Sequence, residues 1–267
     1  GILHECADNG SGADMATIVG PAPRAAGRDR FFLILSLAMS ATIVAGFAFN
    51  LAMGRSSFSL PLIYHVHAFV FFGWIALFLI QNFLIATENV RIHRRVGVIA
   101  LGWVPLMVVM GFAVMLHSLR SHGGPPFFDA REFLFGNPMD LLCFAGLVFA
   151  ALAMRRHSDW HRRLMLCAVT ILTGPGLGRL LPLPLMIPWS WTVASLLAPL
   201  IFPLIGIVAD LIRMRRVHPA WLWGVAAIVG TNLLAEAIAY TPFGTSVTRA
   251  VVAGSPGADR PLAAHWP

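Results

Sequence analysis

The chain contains no lysine, so that all 19 of its basic residues are arginine. Charged residues make up only 12% of it, and its three cysteines, Cys6, Cys143 and Cys167, form no CxxC pair. The cysteine pattern excludes a disulfide framework or zinc ribbon, the more so because Cys143 and Cys167 fall inside apolar runs. Without lysine, the glycine string Gly174-Pro175-Gly176 with Gly178 lacks the Lys-Ser/Thr that a phosphate loop requires. His157 and His161 share the i, i+4 spacing of a zinc-protease helix, but no glutamate stands in the HExxH position. The net charge of +7 does not point to nucleic acid, because no basic groove-like domain carries it.

What the chain has in abundance is apolar surface. Hydrophobic residues make up 58% of it and the mean hydropathy is +0.76, far outside the range of soluble domains. A spanning helix needs about 20 apolar residues to cross a hydrocarbon layer of about 30 Å. Seven stretches meet this: residues 31–54, 60–86, 96–119, 139–154, 164–181, 189–212 and 221–240. The expected fold is an all-α, polytopic membrane bundle of about seven helices in one domain, residues 31–241, with the lipid bilayer as its principal partner. The fourth and fifth stretches are the shortest, and Pro175 should kink or break the fifth.

Arginine placement orients the bundle, since basic residues stay on the side from which helices insert. With the amino terminus inside, Arg24, Arg28, Arg30, Arg91, Arg94, Arg95, Arg155, Arg156, Arg162, Arg163, Arg213, Arg215 and Arg216 lie inside. Arg55, Arg120, Arg131, Arg179, Arg249 and Arg260 lie at the other face. Trp189, Trp191, Trp221 and Trp223 then fall at helix starts, where an aromatic belt places them. The expected location is a bacterial inner membrane with the amino terminus cytoplasmic.

Residues 1–30 read as a polar amino-terminal segment. Within it, Gly1 to Asp14 precede Met15-Ala-Thr-Ile, which fits a natural start. The first apolar run exceeds about 15 residues and has no small-residue site behind it, which disfavours a cleavable signal peptide. Residues 242–267, rich in Gly, Pro, Ala and Ser, read as a flexible tail. The longest connection, Arg120 to Pro138, reads as a lid on the opposite face.

The tripeptide His-Arg-Arg occurs twice, at His93-Arg94-Arg95 and His161-Arg162-Arg163, each between apolar stretches and on the same side. A weak internal repeat of two hairpins would set His93 and His161 at equal depth. The arginines are explained by topology, which leaves the histidines as the functional candidates. On the opposite face stand His65, His67, His117 and Asp140. Residues two apart point about 200° apart on a helix, so only one of His65 and His67 faces inward. His67 is preferred because Gln81, close to four turns on, shares its face. Ionisable groups in a membrane face the protein interior.

Two chemistries suit these groups. Haem b takes two neutral imidazoles at equal depth from different helices, with arginines near its propionates. His67 with His117, and His93 with His161, are the candidate pairs, with Arg94, Arg162, Arg179 and Gln81 as supporting residues. Zinc or iron instead takes three or four N and O ligands, for which His67, His117 and Asp140 are the candidates, and this would make the chain a metal-dependent membrane enzyme. A chain with no cofactor is the remaining case: a transporter or an accessory subunit of a membrane complex, with Arg179 and Glu236 lining a path. Quinone or other complex subunits are the partners expected of a redox protein. Asn50, Asn82 and Asn232 suit interhelical hydrogen bonds. Asp210, one turn from Arg213, suits an interfacial ion pair.

The series His67, Gln81, Arg91-Ile92-His93-Arg94 with Gly97, then His161-Arg162-Arg163-Leu164-Met165, Arg179 and Pro182, resembles a bacterial integral-membrane family catalogued only as a domain of unknown function. It covers the second to fifth apolar stretches. Leu164 stands where that family often has Trp, and a Phe-rich stretch precedes Gln81 where it has Gly-Pro. His65, His117 and Asp140 lie outside the pattern. The resemblance implies a membrane helical fold and carries no activity.

Overall fold

The computed structural model describes residues 24–266, with side chains from Arg30 onward. Most of the amino-terminal segment, including Cys6 and Met15, lies outside the described residues. The described chain is helical: α1 (Arg24–Ala52), α2 (Leu62–Ala86), a short α3 (Val90–Gly97), α4 (Ala100–His122), α5 (Ala130–Ala153) and α6 (Ser158–Leu180). A 3-10 turn (Leu183–Met186) then leads to α7 (Ser190–Thr192), which runs through a π turn (Val193–Leu197) toward α8 (Ile201–Met214). The chain ends in α9 (Pro219–Ala239), α10 (Pro242–Val252) and a 3-10 turn (Pro256–Asp259). Six segments are long and apolar enough to cross a membrane, with α7 and α8 counted together as Ser190–Met214. The protein is therefore a multi-pass membrane protein.

The helix α6 matches these segments in length but is more polar, because it is the centre of the bundle. It packs against α1, α5, α9 and the π turn, and Leu166, Cys167, Ala168, Val169 and Thr170 are all buried. Its hydroxyls are satisfied locally: Thr170 donates to the Leu166 carbonyl at 3.0 Å and Thr173 to that of Thr170 at 2.6 Å. Shielded from lipid, α6 tolerates polar and small residues that an outer helix would not. Of the expected kink or break, the break does not occur: α6 remains helical through Pro175 to Leu180.

Two further expectations are corrected. The connection after α4 is only seven residues, because α4 extends to His122 and α5 begins at Ala130. Gly123, at φ 72°, ends α4, and its amide bonds the Leu119 carbonyl at 2.8 Å. Asp129 caps α5 by accepting from the Arg131 amide at 2.8 Å. Moreover, the supposed flexible tail is packed over this end of the bundle. Arg260 donates to the carbonyls of Gly123, Gly124, Pro126 and Phe128, and the Leu262 carbonyl accepts from the Ala130 amide at 2.7 Å.

Candidate functional site: the paired histidines and the opposite face

On the face bearing the basic turns, α3 and the start of α6 bring His93 and His161 together. Their ring centres are 6.2 Å apart with planes at 83°. Each ring is held from behind. Nδ1 of His161 lies 2.8 Å from the Ala151 carbonyl, a pure acceptor, so Nδ1 carries the proton and Nε2 keeps its lone pair. With the Gln81 amide nitrogen turned toward α3, Nε2 of Gln81 donates to Nδ1 of His93 at 2.6 Å and to the His93 carbonyl at 3.1 Å. The Gln81 oxygen then accepts from the Gly97 amide at 2.8 Å. Thus Gln81, His93 and Gly97, spread over two elements in the sequence, form one bonded unit on which His161 closes.

The arginines beside these histidines behave differently. Arg94 is exposed. Arg162 pairs with Asp159 and lies over the Phe32 ring at 4.6 Å. Arg163 is fully buried and forms a two-point ion pair with Asp210, Nε to Oδ2 at 3.0 Å and Nη2 to Oδ1 at 2.7 Å. Asp210 also accepts from the Trp221 indole at 3.0 Å and the His218 amide at 3.3 Å. This corrects the expected pairing of Asp210 with Arg213, which instead lies over the Phe31 ring at 4.7 Å. In the sequence Arg163 reads only as a topology anchor. The available signal was that two ionisable residues in neighbouring apolar runs need each other more than either needs a solvated neighbour.

His93 lies outside the spanning helices. Burial first, and then the nearby His161 charge, hold its imidazole below the ordinary 6.5, with Arg94 acting in the same direction. The folded chain therefore resists protonating His93 when the unfolded chain accepts a proton. Stability linked to this group is intact above about pH 6.5 and is lost as pH falls below it, since the unfolded state then binds more protons. In protein purified without added haem, the midpoint of detergent unfolding should fall between pH 7.5 and 5, and His93→Gln should flatten that slope. An unchanged slope in the variant would place the acid sensitivity elsewhere.

The opposite face does not assemble as expected. His67, rather than His65, turns inward: His65 bonds the Leu60 carbonyl at 3.1 Å, whereas His67 is half-buried and stacks on Phe71 at 4.2 Å. His117 contacts Tyr64 edge-on at 5.5 Å and lies 3.4 Å from the Ser121 hydroxyl. The His67 ring stacks on Phe71 while that of His117 meets Tyr64, contacts about two turns apart along α2, so these two imidazoles are not at one depth. Asp140 is bonded by the Asn232 amide at 3.0 Å, and Asn232 in turn accepts from Ser195 at 2.9 Å, an interhelical role of the expected kind. Among the described residues no group of three or more His, Cys, Asp or Glu side chains could hold a metal ion, so His67, His117 and Asp140 do not form a ligand set. Nor do His157 and His161, because the His161 ring turns back to Ala151.

Arg179 and Glu236 do not pair. Arg179 donates from Nη1 to the Pro175 carbonyl at 2.7 Å and sits over the Phe47 ring at 4.0 Å. Glu132 accepts from the hydroxyl of Tyr240, one turn beyond Glu236 at the end of α9, at 2.9 Å. No protein-family model, curated protein or solved structure matches the chain.

Proposed function

We propose that this membrane protein binds a haem b-type group on its basic face, with His93 and His161 as the two axial ligands. The observation that carries the reading is the facing pair itself. Two imidazoles on opposite sides of one metal, each at about 2.0–2.1 Å, put their ring centres about 6 Å apart, and here they are 6.2 Å apart. A bare ion would need more side chains than this face offers among the described residues. A macrocycle that brings four nitrogens of its own needs only these two.

The chain's own residues prepare the pair. The Ala151 carbonyl fixes the His161 tautomer and leaves Nε2 as the ligand atom. Gln81 holds the His93 ring by donating to Nδ1, so ligation through Nε2 would require the amide to turn and present its oxygen to Nδ1, which moves the proton to Nδ1 and frees Nε2. When bound, haem iron supplies one-electron chemistry. Arg94, exposed beside His93, is available to a propionate. The reading includes a bacterial inner membrane, a cytoplasmic basic face, membership of the family of unknown function that the motif resembles, and a quinone or a complex subunit as electron partner.

The test is an optical spectrum of detergent-purified protein from haem-replete cells, before and after dithionite. About one haem per chain is expected, with a Soret band that shifts on reduction. His93→Ala and His161→Ala should each lose it, and Gln81→Leu should weaken retention about 10- to 100-fold, as loss of a ligand's supporting bond does. A stoichiometric, folded protein with no Soret band would end the proposal.

A further inference from the structure

Independently of the histidine pair, we infer that Arg179 and His67 form a binding site for the phosphate oxyanion on the opposite side of the bundle. Both side chains hold buried nitrogens without a partner, Nε of Arg179 and Nδ1 of His67. They come from different helices, α6 and α2, joined by one aromatic wall: Arg179 lies over Phe47, Phe47 meets Phe72, and the neighbouring Phe71 stacks on His67. Buried polar atoms are nearly always bonded, so each of these orphans marks a place where an acceptor belongs.

The guanidinium is presented for that purpose. Its Nη1 is held by the Pro175 carbonyl and its face lies on Phe47. Among the described residues no carboxylate neutralises it. The remaining edge, Nε with Nη2, is the planar fork that takes two oxygens of a carboxylate or phosphate at once. A part-buried arginine with no counter-charge is costly, and an anion supplied from outside the chain removes that cost. The walls are rigid and aromatic: Phe47 meets Phe72 edge-on at 5.3 Å, and Phe71 stacks on His67. One turn away, α1 and α6 touch backbone to backbone at Gly46 and Gly176, which fixes Phe47 against Arg179.

Phosphate is preferred to carboxylate because it is the oxyanion that lipid headgroups offer to a membrane protein, and it is also available free in solution. The full chain, delipidated in dodecyl maltoside, is titrated with inorganic phosphate and, separately, with dihexanoylphosphatidylglycerol, and its unfolding temperature is followed. A saturable rise of roughly 5–10 °C at a hundredfold excess over Kd is expected from at least one of them. A rise with the lipid alone assigns the site to a headgroup, and a rise with both assigns it to any phosphate. Arg179→Gln should abolish the rise. Arg179→Lys keeps the charge but not the fork, and should weaken binding at least tenfold even if the glutamine variant fails to fold. His67→Asn should weaken it less. No saturable rise with either probe, or an equal rise in Arg179→Lys, would overturn the inference.

Discussion

Replacing Arg163 by methionine is expected to destabilise the bundle by about 3–5 kcal/mol, the usual cost of removing one partner from a buried ion pair. Arg163 has no exposed surface, and both oxygens of Asp210 are engaged by it. Methionine fills much of the same volume, so packing loss is secondary. What remains is a buried carboxylate with the Trp221 indole and the His218 amide as donors and no cation. Arg163 also donates from Nη1 to the Asp159 carbonyl at 3.0 Å, which ties down the first turn of α6. The node thus joins the start of α6, the end of α8 and the start of α9.

The double variant Arg163→Met with Asp210→Leu should recover much of the loss, because replacing both members of a buried pair by apolar groups removes the unpaired charge along with the attraction. Unfolding in mixed micelles, followed by circular dichroism, gives the three free energies of the cycle. If Arg163→Met alone costs under about 1 kcal/mol, the pair is solvated and is not the clamp described. Because His161 lies two residues before Arg163, a loosened α6 start should also lower haem retention, making the single variant informative at both sites.

How much of this could be seen in the sequence depends on which force sets each feature. The spans were legible because lipid requires about 20 apolar residues in a row, whatever the tertiary detail. The equal placement of His93 and His161 was legible from the repeated tripeptide, and their rings do meet. Asp210 was misassigned because an i+3 arginine is the nearest partner along the chain, while the actual partner, Arg163, is 47 residues away. The α6 string at Pro175 reads as a kink or break, and the helix is unbroken there because neighbours that the sequence does not reveal enclose it. The tail read as flexible on composition alone, since the four carbonyls that receive Arg260 are acceptors of backbone, which no side-chain motif announces. The ends of the apolar runs set His67 and His117 at matching depth. The α4 helix reaches His122, however, and His117 makes its contacts at the level of Tyr64.

Substituting Gly46 by valine should separate α1 from α6 and cost about 3 kcal/mol, at the upper end for overpacking. A Cβ at Gly46 would lie 2.1 Å from the Gly176 carbonyl oxygen, and one at Gly176 would lie 2.8 Å from the Ile43 Cα. Both obstacles are backbone, so neither can be relieved by a rotamer change and the helices themselves must move. Small residues at such crossings are how membrane helices gain close packing when no hydrophobic drive favours it. Gly102, Gly146 and Gly230 have nothing within 4 Å of an added Cβ and serve as controls. Alanine at Gly230 should be neutral or stabilising by up to about 1 kcal/mol through helix propensity. The two outcomes together separate close approach from propensity: a loss at Gly46 with a gain at Gly230 identifies the crossing as the cause. The Gly46→Val protein should also lose the phosphate-dependent rise in unfolding temperature while keeping the Soret band. Moving α1 displaces Phe47 from Arg179, whereas His93 and His161 are held by α3, α6, Gln81 and Ala151, none of which lies on α1.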